Sequence, residues 1–284
     1  MKLKAFSNLD NRRIIGSDLD RTLLNDQGEL SKYTAKVLNY LTEEGHIIVP
    51  ATSRSYTDLP ESLLKSKVSY FACSNGAIVW DKNKDEVVLA KRMSKTLTLK
   101  ILKTCASIKK VVTVTVDGVV YCEKGLFPLF SSRIKDPETL RKLLAKKVLV
   151  DDVTPYINKA KAIDKIHINF LDMINKEKCL ESIKHFSQCY FTSSHPLNVE
   201  ITAKGADKGS AILGLAKLHS ISKSNIICFG DSDNDLKLLE VAAIKVAVNN
   251  AEDIIKEKAD YISQFSNDED AVALFLKDYF QLDF

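Results

Sequence analysis

The stretch "GSDLDRTLLND" (residues 16–26) decides how the chain folds, because it places Asp18 and Asp20 directly after the apolar run "RRIIGS". That run predicts a β-strand that ends at Asp18. Side chains two residues apart in an extended chain share a face, so both carboxylates are expected at the carboxyl edge of the strand. In open α/β sheets this edge is where ligands bind. The pair predicts a binding site, and a turn whose two acids cap a helix is the alternative.

The bulk composition is that of an ordinary globular protein. The chain has 284 residues, 45% of them hydrophobic and 27% charged, and its net charge is +4. This length allows one large domain or two ordinary ones. The lysines are spread along the chain, which argues against nucleic-acid binding, and no apolar run is long enough to cross a membrane. The N-terminus also lacks the apolar stretch of a signal peptide.

The cysteines are scattered and contain no C-x-x-C pair; they are Cys73, Cys105, Cys122, Cys179, Cys189 and Cys228. Several lie inside apolar runs, where a free thiol packs as a small core residue. The scattered thiols and the missing signal peptide predict a cytoplasmic protein. We further expect a monomer or a small homo-oligomer, with no nucleic-acid or membrane partner.

The rhythm of the chain predicts an α/β fold. Apolar runs rich in β-branched residues alternate with amphipathic stretches, as in a Rossmann-like parallel sheet with helices. A helix is expected over residues 31–44, capped by Ser31 and followed by Gly45. The middle differs, since "VVTVTVDGVVYCEKG" (residues 111–125) alternates around Asp117-Gly118, which is a hairpin signal. We expect an inserted α+β module at 83–197, with the core formed by 1–82 and 198–284.

A second acidic cluster opens a later helix. "NIICFGDSDNDLKLLE" (residues 225–240) repeats the first arrangement, with an apolar strand followed by Asp231, Asp233 and Asp235. Carboxylates this dense repel one another, so a divalent cation is their natural partner. An acidic helix N-terminus favoured by the helix dipole is the alternative.

Two further stretches could hold an anion. "IIVPATSR" (residues 47–54) ends a predicted strand in Thr52, Ser53 and Arg54, whose hydroxyl, N–H and guanidinium groups suit oxyanions. "KGADKGSAI" (residues 204–212) puts Lys208 at a helix start, where a cation opposes the dipole and so suggests a local anion. Helix caps and an ordinary exposed lysine are the alternatives.

Together these motifs resemble the haloacid dehalogenase (HAD) superfamily of phosphohydrolases. The matching elements are D-x-D-x-T, a threonine at a strand end, a lysine, and G-D-x-x-N-D: Asp18, Asp20 and Thr22; Thr52; Lys208; Gly230, Asp231, Asn234 and Asp235. "SNGA" (residues 74–77), "KGADKGSAI" and "VAVNNA" (residues 246–251) are similar to its Cof-type branch. That branch carries a class II, B-type α/β cap where 156 residues separate Thr52 from Lys208.

The resemblance implies a role for each matched residue. Asp18 is the nucleophile that forms an aspartyl-phosphate, and Asp20 is the general acid and then the general base. Mg²⁺ is held by Asp18 and Asp231 with the Asp20 backbone carbonyl, while Asp235 orients a metal-bound water or Lys208. The remaining expected ligands are Thr52, Ser53, Lys208 and Asn234 for phosphate, and Arg54 and Asn75 for the rest of the substrate.

Two positions depart from the family pattern. Arg21 stands where D-x-D-G-T is commonest, and Ser53 stands where T-G-R is usual. We expect the Arg21 side chain to face solvent, with contact to an anionic substrate as the alternative. Ser53 raises the question of whether the backbone there needs a positive φ, which serine adopts less readily than glycine.

The resulting expectation is a Mg²⁺-dependent phosphatase of small phosphorylated metabolites, such as sugar phosphates. A phosphomutase on the same scaffold is one alternative, and it would require a bisphosphate activator. A non-catalytic protein that binds phosphorylated metabolites is the other. The sequence does not name the substrate.

Overall fold

The computed structural model describes residues 12–284, except for the side chains of residues 138, 139, 142 and 143. The strands are β1 (Ile14–Asp18), β2 (Ile47–Ala51), β3 (Tyr70–Cys73), β4 (Ile78–Asp81), β5 (Glu86–Ala90), β6 (Val111–Val116), β7 (Val119–Glu123), β8 (Lys147–Val150), β9 (Lys165–Asn169), β10 (Cys189–Thr192), β11 (Asn198–Ala203), β12 (Ile226–Gly230), β13 (Ile244–Ala247) and β14 (Tyr261–Ile262).

The helices are α1 (Lys32–Glu43), α2 (Glu61–Leu64), α3 (Lys95–Thr104), α4 (Phe127–Ser131), α5 (Pro137–Ala145), α6 (Thr154–Lys159), α7 (Met173–Ile183), α8 (Lys208–Leu218), α9 (Leu236–Glu240), α10 (Asp253–Lys256) and α11 (Ala271–Phe280). Short 3₁₀ turns occupy Tyr56–Asp58, Lys223–Asn225, Asp233–Asp235 and Asn267–Glu269.

The larger sheet carries the predicted parallel core. Its order is β14-β13-β12-β1-β2-β3-β4-β5, parallel from β14 to β3 and antiparallel from β3 to β5. Strand β1 lies between β2, its successor in the chain, and β12, from the C-terminal part. This is the switch point at which open α/β sheets bind ligands. The residues after β1, β2 and β12 therefore meet at one edge.

Helix α1 shows how local signals and burial act together. The Ser31 hydroxyl accepts a hydrogen bond of 2.9 Å from the Thr34 N–H, and Gly45 follows the helix with a φ of 89°. Val37 and Leu38 are fully buried in the core of the larger sheet. Each such side chain contributes about 1.5–3 kcal/mol on burial, which stabilises the helix against the sheet.

The smaller sheet comes from the middle of the chain, in the order β10-β11-β9-β6-β7-β8. Its neighbours are antiparallel except for β7 and β8. Asp117 and Gly118 join β6 to β7 with φ values of 48° and 79°, the left-handed pair that a two-residue hairpin turn requires. The predicted hairpin and the α/β fold with an inserted α+β unit are confirmed.

Each sheet packs its own hydrophobic core. One buried cluster draws on β1–β4 and on residues after 210, whereas another runs from Met93 to Ile201. The division into two domains stays a prediction, but the sheets change later in the chain than residues 82 and 197. The larger sheet continues through β5 to Ala90, because β4 and β5 pair as a hairpin, and β11 joins the smaller sheet through its antiparallel neighbours β10 and β9.

The cysteines match the expectation of free thiols, and all except the half-buried Cys189 are buried. Within residues 12–284, no helix combines the length and the apolar character needed to cross a bilayer.

Candidate active site

Asp18 ends β1 at the switch point and is almost completely buried. It accepts a hydrogen bond from the Lys208 ammonium, whose Nζ also donates to Asp235 Oδ1 at 2.6 Å and to Asn234 Oδ1 at 3.4 Å. Lys208 is only 2% exposed. Two motifs that lie 190 residues apart in the chain therefore meet in one buried ion cluster.

Close helix packing brings Lys208 into this cluster. It is the first residue of α8, and Asp207 caps the helix by accepting a hydrogen bond of 2.8 Å from the Ser210 N–H. A Cβ atom on Gly209 would lie 2.0 Å from the Lys237 carbonyl oxygen of α9. Only glycine permits this approach of α8 to the segment that carries Asp235.

The acidic residues form a compact group around one lysine. Asp18, Asp231 and Asp235 each offer a carboxylate oxygen, and these oxygens lie within 4.8 Å of one another. Burial and the nearby Asp235 raise the pKa of Asp18 well above its ordinary value, despite Lys208. Burial, then Asp235, raises the pKa of Asp231 to about 6. The ionised forms of Asp18 and Asp231 are thus less stable in the folded protein than they would be in water.

The donor set fits a hard divalent cation such as Mg²⁺, which prefers carboxylate oxygens. Three carboxylates facing one ammonium leave two formal negative charges, which one divalent ion balances. The two oxygens of Asp235 already accept bonds, Oδ1 from Lys208 and Oδ2 from the N–H groups of Asp231 and Ser232 at 3.0 and 3.2 Å. Asp18 and Asp231 are therefore better placed as carboxylate ligands than Asp235.

Asp20, predicted to lie beside Asp18, has its carboxylate outside this acidic group. Its side chain is 46% exposed and forms a two-pronged ion pair with Arg54, at 2.9 Å from Nε and 2.6 Å from Nη2. Strand β1 ends at Asp18, and the chain then turns through residues 19–23. This pairing of a predicted catalytic acid with a predicted substrate ligand is not visible in the sequence.

Arg21 occupies the strained position that the family pattern assigns to glycine. Its φ is 63°, in the left-handed region, whereas Ser53 is not among the positive-φ residues of the described chain. The positive φ considered for Ser53 is therefore found at Arg21 instead. The Arg21 side chain is 60% exposed, as expected, although its guanidinium lies 3.9 Å from Asp231.

We predict that Arg21→Gly raises the free energy of unfolding by about 0.5–1 kcal/mol, since a left-handed conformation costs a residue with a Cβ about 1–2 kcal/mol and glycine returns part of this as chain entropy. Urea unfolding measures the change. Arg21→Ala removes the same charge but keeps the strain, so it should not stabilise the protein. Equal stabilisation by both variants would assign the effect to charge instead of backbone.

The other predicted phosphate ligands follow β2. Thr52 is buried, and its hydroxyl accepts a hydrogen bond of 3.1 Å from the Arg54 N–H. The Ser53 carbonyl accepts one of 2.6 Å from Lys165 of the smaller sheet. Ala51 at the end of β2 pairs with Asp18, and Asn234 contacts Lys208, so these residues lie around the same edge as Asp18.

Asn75 lies in a buried polar network that sequence reasoning missed. Its amide nitrogen donates to Glu200 at 2.5 Å and to Thr192 at 3.3 Å, and Lys165 lies 3.2 Å from the same Glu200 carboxylate. Although burial opposes it, Lys165 holds the pKa of Glu200 at about 2. With its donors taken, Asn75 does not present an N–H to a substrate here. Charged residues inside the apolar strands "DKIHINF" and "NVEIT" were the available signal.

His167 lies on β9, and its ring is 3.8 Å from Glu200. Burial lowers the pKa of His167 to about 4, so the ring is neutral near pH 7. Glu123, the last residue of β7, accepts a hydrogen bond of 3.4 Å from the Val153 N–H, and Lys124 lies 3.3 Å from Asp151, in the segment just after β8. They lie at the end of β7 opposite the Asp117-Gly118 turn.

Comparison with known proteins agrees with this geometry. The model of the haloacid dehalogenase-like hydrolase family matches residues 15–276. A relative in Bacillus subtilis, 5-amino-6-(5-phospho-D-ribitylamino)uracil phosphatase YcsE, is 27% identical over 92% of this chain and 93% of its own. A B. subtilis haloacid dehalogenase-like hydrolase structure superposes with a TM-score of 0.80, at 24% identity over 93% of this chain and 99% of that one.

The HAD subclass IIB sugar phosphatase BT4131 shares the fold with a TM-score of 0.75, at 20% identity over 95% of this chain and all of that one. The chain belongs to the haloacid dehalogenase-like hydrolase family, and it is a phosphatase with the Cof-type architecture.

Proposed function

We propose that this haloacid dehalogenase-like phosphatase hydrolyses small phosphomonoesters, such as sugar phosphates, in two steps through an aspartyl-phosphate on Asp18. The observation that carries the proposal is the contact of the buried Asp18 carboxylate with Lys208 at the switch point of the sheet. A carboxylate that attacks a phosphate dianion meets strong repulsion, and a buried ammonium at that oxygen offsets it.

In the first step an Asp18 oxygen attacks phosphorus, and the bond from phosphorus to the leaving oxygen breaks. Asp20 donates the proton that the leaving oxygen takes up. In the second step Asp20 removes a proton from a water molecule, whose oxygen attacks phosphorus and releases Asp18. The half-exposed position of Asp20, two residues from the nucleophile, supports this exchange of protons with incoming and departing groups.

We propose that Asp18 and Asp231 hold Mg²⁺ together with the backbone carbonyl of Asp20, and that Asp235 orients Lys208. The bound ion supplies charge stabilisation to the phosphoryl oxygens. Lys208, Thr52, Ser53 and Asn234 bind the remaining phosphoryl oxygens. Arg54 acts on Asp20 instead of the substrate, because its fork is already paired with that carboxylate.

The substrate class is proposed from the family and from the names of two similar proteins. YcsE is named as a phosphatase of a phosphorylated ribityl compound, and BT4131 as a sugar phosphatase. Phosphorylated sugars and sugar alcohols are therefore the first esters to test. The smaller sheet, which reaches the active-site loops through Lys165 and Ser53, is the proposed source of selectivity for the leaving group.

The decisive experiment measures phosphate release from a panel of sugar, sugar-alcohol and nucleotide monophosphates, with Mg²⁺ and with EDTA. We expect release with Mg²⁺ and none with EDTA. Turnover that appears only when a sugar bisphosphate is added would favour the phosphomutase. Binding of the esters without turnover by the purified protein would contradict the proposed hydrolysis.

Magnesium binding has an expected effect that is independent of activity. A ligand at a hundredfold excess over its Kd stabilises the folded state by about 2.7 kcal/mol, so Mg²⁺ should raise Tm by several degrees. Asp231→Asn should abolish this shift, whereas Asp233→Asn, in the same motif but exposed, should keep it. The measurement is thermal unfolding in Mg²⁺ against KCl of equal ionic strength. An equal shift in all three proteins would contradict the proposed site.

A further inference from the structure

The turn between β6 and β7 contacts the core next to the active site. The Gly118 carbonyl accepts hydrogen bonds from the hydroxyls of Ser55 at 2.5 Å and Thr57 at 2.6 Å. The neighbouring Asp117 carbonyl accepts one of 2.8 Å from the Tyr56 hydroxyl. Three consecutive hydroxyl residues that follow Arg54 therefore bind two consecutive carbonyls of the smaller sheet.

The contact is close enough to require glycine at the tip of the turn. A Cβ atom on Gly118 would lie 2.2 Å from a ring carbon of Tyr56, and the φ of 79° disfavours any other residue. The Tyr56 ring is itself stacked on Trp80, with 5.3 Å between the ring centroids. The ring cannot move aside without losing that contact, so the turn and the loop are matched in shape.

The turn is also held from its own side. Asp164 is fully buried and accepts bonds from the Gly118 N–H at 3.1 Å and from Arg92 Nε at 2.6 Å. Arg92 lies in the segment that leads from β5 into the smaller sheet, and its guanidinium is 3.4 Å from Asp117. The position of the turn therefore depends on one of the two chain segments that connect the larger sheet with the smaller sheet.

From the docked loop, the contacts continue to the proposed general acid. Arg54 Nη1 donates to the Asp58 carbonyl at 3.2 Å, while Nε and Nη2 bind the Asp20 carboxylate. The 3₁₀ turn Tyr56–Asp58 therefore holds the third nitrogen of the same guanidinium fork. Because the guanidinium group is planar, the hydrogen bond that holds Nη1 also limits how far Nε and Nη2 can move.

We propose that docking of the Asp117-Gly118 turn positions Asp20 for proton transfer, by holding the loop that fixes Arg54. Arg54 is then a positioning residue, and Gly118 is the residue that allows docking. The inference rests on the proposed role of Asp20 as general acid and base. Under this proposal, proton transfer to the leaving group depends on the contact between the smaller sheet and the core.

The test compares Gly118→Ala with Gly125→Ala. Gly125 is a control glycine in the same unit, where an added Cβ atom would meet no other atom within 4 Å and the φ is not left-handed. Two substrates are used: the best alkyl phosphate of the panel, whose alkoxide must be protonated, and p-nitrophenyl phosphate, whose phenolate leaves without a proton. General acids contribute about 10²–10⁴-fold, and a displaced group forfeits part of this.

We expect Gly118→Ala to slow single-turnover cleavage of the alkyl phosphate by about 10–100-fold. Single-turnover release of p-nitrophenol should change less than about threefold, since the p-nitrophenolate leaves without a proton from the acid. Gly125→Ala should match wild type on both. An equal loss on both substrates would mean general damage to the site and would overturn the inference.

A double-mutant cycle tests the route through Arg54. If the turn acts through this residue, Gly118→Ala combined with Arg54→Gln should be no slower than Arg54→Gln alone. Multiplying losses would overturn the proposed route. If Gly118→Ala does not fold, Tyr56→Phe, which removes only the hydrogen bond to Asp117, takes its place. This variant should slow cleavage of the alkyl phosphate more than release of p-nitrophenol, by a smaller factor than Gly118→Ala. A wild-type protein that releases no phosphate from any ester of the panel would instead contradict the proposed function itself.

Discussion

Asp18→Asn is expected to lower kcat for phosphate release by about 10⁴-fold or more, as the loss of a covalent nucleophile does in other hydrolases. The amide oxygen has almost the shape of the carboxylate and still accepts a bond from Lys208. It lacks the negative charge that makes the Asp18 oxygen a nucleophile. The measurement is phosphate release in Mg²⁺ at saturating ester.

The same substitution should leave stability in EDTA unchanged or higher. Burial and Asp235 raise the pKa of Asp18, so the folded state binds its proton more tightly than the unfolded chain does. Such a group lowers the free energy of unfolding as the pH rises from its ordinary pKa through its raised pKa in the folded state, and asparagine removes that loss. A substitution that abolishes turnover and raises stability shows that the charge of Asp18 serves the reaction and does not stabilise the fold.

Asp233→Asn is the matched control, because it makes the same chemical change on an exposed residue of the acidic motif. We expect it to retain activity within a few-fold. Wild-type turnover by Asp18→Asn would refute the nucleophile assignment, and equal losses in both variants would point to the net charge of the motif.

Lys208→Met is expected to lower the free energy of unfolding by about 3–5 kcal/mol, since it leaves Asp18 and Asp235 buried without their shared cation. Burial alone would lower the pKa of Lys208, but the two acids raise it well above its ordinary value. Lys208 is therefore charged in the folded state and holds the acids together. Urea unfolding in EDTA measures the loss, and activity should fall with it.

Lys237→Met provides the control for this effect. Lys237 is a partly exposed lysine on α9, and its pairing with Glu240 is a surface contact. Its removal should leave the free energy of unfolding nearly unchanged, because an exposed ion pair contributes little to stability. A loss below about 1 kcal/mol for Lys208→Met would show that the acids lower their cost by taking up protons.

Local chemistry explains which elements were predictable. The left-handed turn at Asp117-Gly118 and the cap at Ser31 depend on adjacent residues, so the hairpin and α1 follow from the sequence. Strand β11 was missed because its place depends on pairing with β9 and β10. The network of Lys165 and Glu200 was missed for the same reason, since its members lie on different strands.

The sequence by itself determined the reaction class, because the short motifs at its strand ends resemble those of the haloacid dehalogenase family in residue type and in order. It also determined that Arg21 and Ser53 depart from the family pattern. Only the tertiary structure decided that Asp235 shares Lys208 with Asp18, that Asp20 faces Arg54, and that the strained departure is Arg21. Side-chain partners depend on the order of strands in the sheet and on the path of the backbone after each strand, and neither is encoded within a single motif.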